Sequence, residues 1–176
     1  MRLNPFAPQW AIMGTGLIIG RFQPVHNGHM QAIQTILKHH DRVVIIVGSA
    51  QESRTSLNPF SIAERRAMLD CAMAEITPNK MIRIMALEDQ GIHAEWIEKV
   101  REGVPNADTV YSSNPLVERL LKPFMHVKAM TSNVDINATK IREWMKQGND
   151  EWREYVPKSV QSYLDEHELI DVVRSL

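Results

Sequence analysis

The stretch Leu17-Ile18-Ile19-Gly20-Arg21-Phe22-Gln23-Pro24-Val25-His26-Asn27-Gly28-His29 decides the fold. Its first three residues are a short apolar run between Gly16 and Gly20, which suits a strand buried on both faces. After the glycine and proline, Asn27 is placed to cap a helix whose apolar residues Met30, Ile33, Ile36 and Leu37 recur at spacings of three and four. Val43-Val44-Ile45-Ile46-Val47, closed by Gly48, is a second buried strand. Strand, helix and strand within about 30 residues is the unit from which parallel sheets are built.

The rest of the chain repeats the alternation. Ser49–Pro59 is polar and loop-like. Ser61 with Glu64 three residues later is a capping box, opening a helix through Ala74. Met81–Leu87 reads as a third strand and Ala94–Val100 as a helix. Thr109-Val110-Tyr111 and Met125–Lys128 complete the strands. Asn137–Lys146, Asp150–Tyr155 and Ser159–Glu168 are helical in pattern. The expected architecture is therefore α/β, a Rossmann-like open parallel sheet flanked by helices with a helical C-terminal segment. Residues 1–13, with Pro5 and Pro8 and no clear period, read as an extension, leaving 14–176 as a single domain.

Composition bounds the function. Of 176 residues, 44% are hydrophobic and 23% charged, which supports a packed core and excludes wholesale disorder. Lys and Arg number 20 against 21 Asp and Glu, a balance that argues against a nucleic-acid binder. No apolar run approaches the roughly 18 residues that would span a bilayer, and Met1–Gly20 makes a poor signal peptide. The single cysteine, Cys71, cannot form an internal disulfide and fits a reducing, cytoplasmic setting. At helical spacing from Ala67 and Met68, it reads as a buried small apolar residue.

In an open parallel sheet, ligands bind beyond the carboxyl ends of the strands. Gly20-Arg21-Phe22 and His26-Asn27-Gly28-His29 fall there, at the start of a helix, where free N–H groups and the positive end of the helix dipole attract anions. Gly28 allows close approach. His26 and His29, three apart, share one side of the first turn and can donate to phosphate oxygens. Arg21 adds a planar bidentate donor. The pattern H-x-G-H arises by chance in roughly one chain in a hundred of this composition. A zinc site would need further ligands, and neither Cys71 nor an acidic cluster is placed to supply them, so no metal held by the protein is expected. Ser49-Ala50-Gln51 follows the second strand and meets the same edge.

These residues resemble the first signature of the H-x-G-H nucleotidyltransferase superfamily. More closely, the chain resembles the archaeal-type nicotinamide-nucleotide adenylyltransferases, including bacterial enzymes that join this domain to a Nudix domain. Gly48-Ser49-Ala50-Gln51, Asn58-Pro59-Phe60 with Glu64-Arg65, Asp89 followed by Trp96, and Ser113-Asn114-Pro115-Leu116-Val117 continue the likeness in order. Ile136-Asn137-Ala138-Thr139-Lys140-Ile141-Arg142 is similar to the second signature, and Trp152, Val156-Pro157 and Val160 to the closing helices. Two departures stand out: Asn137-Ala138 replaces a hydroxyl-bearing pair, and Leu57 stands where relatives often carry a cation. Arg54 is nearby to supply that charge.

The resemblance implies adenylyl transfer from ATP to nicotinamide (or nicotinate) mononucleotide, giving the dinucleotide and pyrophosphate. It assigns His26, His29 and Arg142 to catalysis. ATP and its phosphates fall to Gly20, Arg21, Phe22, Gly28, Arg54, Asn137, Thr139 and Ile141, and the nicotinamide nucleotide to Ser49, Ala50, Gln51, Asp89, Trp96, Asn114 and Pro115. It also implies Mg²⁺ held by substrate phosphates, and assembly as a homo-oligomer. On residues alone, packing would account for Trp96-Ile97-x-x-Val100, and a turn for Asn114-Pro115. Rival readings are another transferase of the superfamily, with a phosphopantetheine, flavin mononucleotide or phosphoalcohol acceptor, and a non-catalytic nucleotide sensor. Asp89…Trp96 and Ser113-Asn114-Pro115 favour the nicotinamide branch over the first. His26, His29, Thr139 and Arg142 together favour an enzyme over the second.

Overall fold

The computed structural model describes residues 14–76, 81–89, 91, 93–130, 133 and 135–176; the expected N-terminal extension lies outside these. The apolar runs form β1 (Thr15–Gly20), β2 (Arg42–Val47), β3 (Met81–Ala86), β4 (Ala107–Ser112) and β5 (His126–Ala129). All pairings are parallel, in a five-stranded sheet of order β3-β2-β1-β4-β5. Between them run α1 (Asn27–His39), α2 (Ile62–Ile76), α3 (His93–Gly103) and α4 (Pro115–Leu121). After β5 come α5 (Ala138–Gln147), a 3₁₀ turn (Asp150–Tyr155), α6 (Lys158–Glu166) and α7 (Leu169–Arg174).

Because strand side chains alternate between faces, the two sides of the sheet collect different cores. Ile18, Val43, Ile45 and Val47 pack with Ile33 and Ile36 of α1, Met68 and Leu69 of α2, and the C-terminal Ile141, Trp144, Trp152 and Val160. Leu17, Ile19, Val44 and Ile46 turn the other way, onto Val100 of α3 and Val117 and Leu121 of α4. Helices thus cover both faces, as an all-parallel sheet requires. No helix among the described residues is long and apolar enough to cross a membrane.

Several local expectations need correction. Asn27 is the first residue of α1 rather than its cap; His26, in extended backbone, takes that place, and the Asn27 amide donates to the Glu154 carbonyl. Asn114-Pro115 is no mere turn. Asn114 accepts the Leu116 N–H at 2.9 Å and caps α4, with Pro115 in the first turn where its missing N–H costs nothing. Asp150–Tyr155 is 3₁₀, and the closing helix stops at Glu166, with α7 entered through Glu168 at φ 55°. Cys71 is half-buried rather than buried.

Candidate active site

The strand order reverses beside β1, where the chain runs outward through β2 and β3 on one side and β4 and β5 on the other. Crevices form at such switch points, and here a cavity of about 530 Å³ opens at the carboxyl edge. Ile19, Gly20 and Arg21 line it from β1, Gly48 and Ser49 from β2, and Ser112, Ser113 and Asn114 from β4. Asp89, His93 and Trp96 close one wall; Leu116, Val117, Leu120 and Met130 form an apolar one. Of the expected nucleotide contacts, Gly20, Arg21, Ser49, Asp89, Trp96 and Asn114 therefore meet in one space. Trp96 is only partly buried there, its other side packed on the second core.

The loop after β1 is held in a conformation that L residues resist. Phe22 has φ 54°, and its ring is buried. A Cβ at Gly20 would sit 3.3 Å from that ring, tighter than most Cβ contacts, so a larger residue there would push the ring aside by a few tenths of an ångström. The Phe22 ring lies 4.7 Å from that of His29, and the His26 and His29 rings are 3.7 Å apart. The His26 N–H donates to Nδ1 of His29 at 3.3 Å. With Nδ1 accepting, neutral His29 carries its proton on Nε2. Nδ1 of His26 is buried without a partner among the described residues. Burial lowers the His26 pKa to about 4, and burial, reinforced by the neighbouring His26, holds His29 well below its ordinary range. Both are neutral imidazoles at pH 7.

The second signature lies across the loop. Asn137 caps α5 by accepting the Lys140 N–H at 3.0 Å. One turn in, Arg142 is 4% exposed and donates to the carbonyls of Gln23 (2.8 Å) and Ser56 (3.2 Å) and to Oγ1 of Thr139 (3.3 Å). Its guanidinium has further N–H groups to give, and no carboxylate pairs with it among the described residues. Burial and the like charge of Arg21 lower its pKa. A buried cation with no ion pair among the described residues, tied to the loop that carries the histidines, has N–H groups and charge that an anion can use.

Other expected residues are engaged elsewhere. Both Nη groups of Arg54 donate to Glu64, at 2.6 and 2.8 Å, and Nη1 also reaches the Pro59 carbonyl at 2.7 Å. Its charge is thereby shared with a carboxylate, and Leu57 projects into solvent. Gln51 supports Asp89, its Oε1 accepting the Asp89 N–H at 3.0 Å. The Ala50 N–H donates to the Leu87 carbonyl. Gly28 and Ile141 are buried within their helices, and Pro115 starts α4.

Sequence reasoning gave no role to His93, Ser112, Leu120 or Met130, which the cavity collects, nor to two polar hubs. Gln23 is buried, exchanging two hydrogen bonds of 3.0 Å with the Phe60 backbone. Arg65 has no exposed surface at all. The signal for Arg65 was present: it shares the helical stripe of Met68, Leu69, Ala72 and Met73, all buried.

The class that this fold and site define is the cytidylyltransferase-like one, whose family model matches residues 17–144. A curated relative from Thermococcus onnurineus, named nicotinamide-nucleotide adenylyltransferase, is 38% identical over 92% of this chain and 87% of its own. One of the same name from Archaeoglobus fulgidus is 39% identical over 90% and 94%. The chain belongs to the nicotinamide-nucleotide adenylyltransferase family. Among solved structures, a bifunctional NMN adenylyltransferase/ADP ribose pyrophosphatase from Francisella tularensis superposes with a TM-score of 0.73 at 23% identity. The match covers 92% of this chain and 53% of that one, and at this identity shows the shared fold.

Proposed function

We infer that the chain transfers the adenylyl group of ATP to nicotinamide mononucleotide, releasing pyrophosphate and forming NAD. The observation that carries this reading, beside the family, is Arg142: buried, without a carboxylate, and bonded to the loop bearing the neutral His26–His29 pair. The acceptor's 5′-phosphate is already an anion, so no strong base is needed. One of its oxygens attacks the α-phosphorus in line, and the bond to the β-phosphate oxygen breaks. Catalysis then reduces to placing two anions and stabilising charge as it spreads. His29, donating through Nε2, and Arg142, through its remaining N–H groups, act on the transferring phosphate and the departing pyrophosphate; His26 and Arg21 assist. Ser49, Asp89, Trp96 and Asn114 seat the nicotinamide nucleotide.

Among the described residues no group of three His, Cys, Asp or Glu could hold a metal ion. The nearby donors are guanidinium and neutral imidazole, a set that fits Mg²⁺ bound by substrate phosphates and water. When bound there, the ion neutralises developing phosphate charge. We further propose a cytoplasmic homo-oligomer with no nucleic-acid or membrane partner, and residues 14–176 as one catalytic domain. Incubating the chain with ATP, Mg²⁺ and each pyridine mononucleotide, and separating products by chromatography, tests the reading. NAD and pyrophosphate in equal amounts are expected; no dinucleotide from any pyridine mononucleotide would overturn it.

A further inference from the structure

We propose that Arg65 is a positioning residue for this reaction, fixing the two strand-end loops between which the substrates are seated. The inference rests on the proposed function for the identity of those substrates. Arg65 sits in the first turns of α2 with no exposed surface. Its guanidinium gives each of its N–H groups to a backbone carbonyl. Nε reaches Ser61 at 3.3 Å, Nη1 reaches Gly48 at 2.8 Å and Arg21 at 3.2 Å, and Nη2 reaches Ser49 at 3.1 Å and Glu52 at 3.4 Å.

These acceptors are not a random set. Arg21 follows β1, and Gly48 and Ser49 follow β2, the strand beside it; all three line the cavity. One planar cation thus joins the two loops just beyond the last pairing of β1 with β2, where the ladder ends with the Gly48 N–H donating to the Gly20 carbonyl at 2.9 Å. It does so where the backbone is strained: Phe22, directly after Arg21, has φ 54°, and Ser49 has φ 49°. Residues in that region stay there only when their surroundings over-determine them, and carbonyls pinned to a buried guanidinium do this. In a trans peptide the N–H points opposite the C=O. With the carbonyls of Arg21 and Gly48 drawn to Arg65, the N–H groups of Phe22 and Ser49 are turned away from that cation.

A purely packing role would be filled more cheaply by an apolar side chain, since burying a charge without a counter-ion is costly. Burial and the like charge of Arg21 lower the Arg65 pKa, outweighing the opposing carboxylates of Asp89 and Glu64, neither of which forms an ion pair with it among the described residues. What an apolar residue cannot do is collect carbonyls from two separate loops and hold their directions. An ammonium cannot do it either, having three donors on a single atom instead of a planar fork.

The test is Arg65→Lys beside a core control, Val173→Ala, on the buried side of α7 and outside the cavity lining. Each is assayed per folded molecule, below its melting temperature. Arg65→Lys is expected to raise KM for nicotinamide mononucleotide and lower kcat, each at least tenfold, while Val173→Ala keeps both. Parental KM and kcat in folded Arg65→Lys, whatever its melting temperature, would overturn the proposal. Should Arg65→Lys not fold, hydrogen exchange of the Arg65 Nε proton in the parent protein, followed by NMR, decides. Saturating nicotinamide mononucleotide is expected to slow it at least tenfold beyond the slowing of the Ile33 amide; equal slowing overturns the proposal. Calorimetric binding of nicotinamide mononucleotide to parent and variants keeps the two readings separate. A parent that makes no NAD defeats the proposed function, and unaltered binding by Arg65→Lys defeats the role of Arg65.

Discussion

At pH 7 His26 and His29 each have a single N–H to give, because burial keeps both from protonating. Their contribution is direction, and an unpartnered buried nitrogen such as Nδ1 of His26 costs about 1–3 kcal/mol until a ligand meets it. His29→Ala is expected to lower kcat about 10²-fold or more with little change in ATP affinity, since one preorganised donor to developing charge is worth roughly 3 kcal/mol. Steady-state kinetics decides, and a raised KM at constant kcat would mark a ground-state contact instead. Arg142→Lys should lower kcat at least tenfold despite the retained charge, because one ammonium cannot serve Gln23, Ser56 and a phosphate together; full activity in that variant would remove Arg142 from the mechanism. Trp96 is half-buried at the cavity wall, and the proposed function has it stack on the pyridine ring. Stacking on an aromatic side chain is worth about 1–3 kcal/mol. Trp96→Ala should therefore raise KM for nicotinamide mononucleotide at least about fivefold, with KM for ATP moving less than about twofold and Trp96→Phe recovering much of the loss. A fall in melting temperature with both KM values unchanged would assign Trp96 to packing alone.

Elements are governed by capping and length, and so is what a sequence discloses about them. Helix α5 ends at Gly148, φ 68°, where a Cβ would meet nothing within 4 Å. Gly148→Ala has room, so its cost is conformational, about 1 kcal/mol, and a thermal melt should show that loss with kcat per folded molecule intact. The buried strands were legible because β-branched runs bounded by glycine leave little choice, and the Ser61–Glu64 box because its geometry is local: Glu64 accepts the Ser61 N–H at 2.7 Å, and Ser61 Oγ accepts the Glu64 N–H at 3.3 Å. Helix α4, seven residues long, was hidden because two turns are too short to show a period, and its Asn-Pro start reads equally as a turn. The cap of α1 was misplaced by one residue because His29, a residue with no ordinary capping role, supplies the acceptor. At the site, the signatures named the histidines, Arg142 and most of the cavity wall. Which arginine was free was not legible: Arg54 is taken by Glu64, ten positions on, and Arg65 by four carbonyls from two other loops, facts that only tertiary contact creates.

For the whole molecule, the buried histidines couple stability to pH. The folded pKa of His26 is about 4 against 6.5 for the unfolded chain. Between these values the unfolded state binds more protons, so stability rises with pH across that window and is lost as pH falls from 6.5 towards 4. At about 1.4 kcal/mol per pH unit, the His26 contribution is a little over 3 kcal/mol, and His29 shifts in the same direction. Glu64 works in a lower window. Its hydrogen bonds and ion pair with Arg54 outweigh the opposing effect of burial and depress its pKa below 4.5, so its contribution is present above that value and lost beneath it. The loss above pH 4.5 therefore belongs mainly to the histidine pair. An anion beside the imidazoles favours their charged forms, so saturating nicotinamide mononucleotide should shrink the loss between pH 6.5 and 4.5. Urea unfolding of the parent and of His26→Gln at half-unit steps of pH measures this directly. Removing one titrating group should flatten the parent's slope across the window while leaving the decline below pH 4.5, where Glu64 protonates. Superimposable profiles for the two proteins would mean that His26 takes up its proton as readily in the folded chain as in the unfolded one, and that it is not the buried neutral imidazole proposed to assist His29.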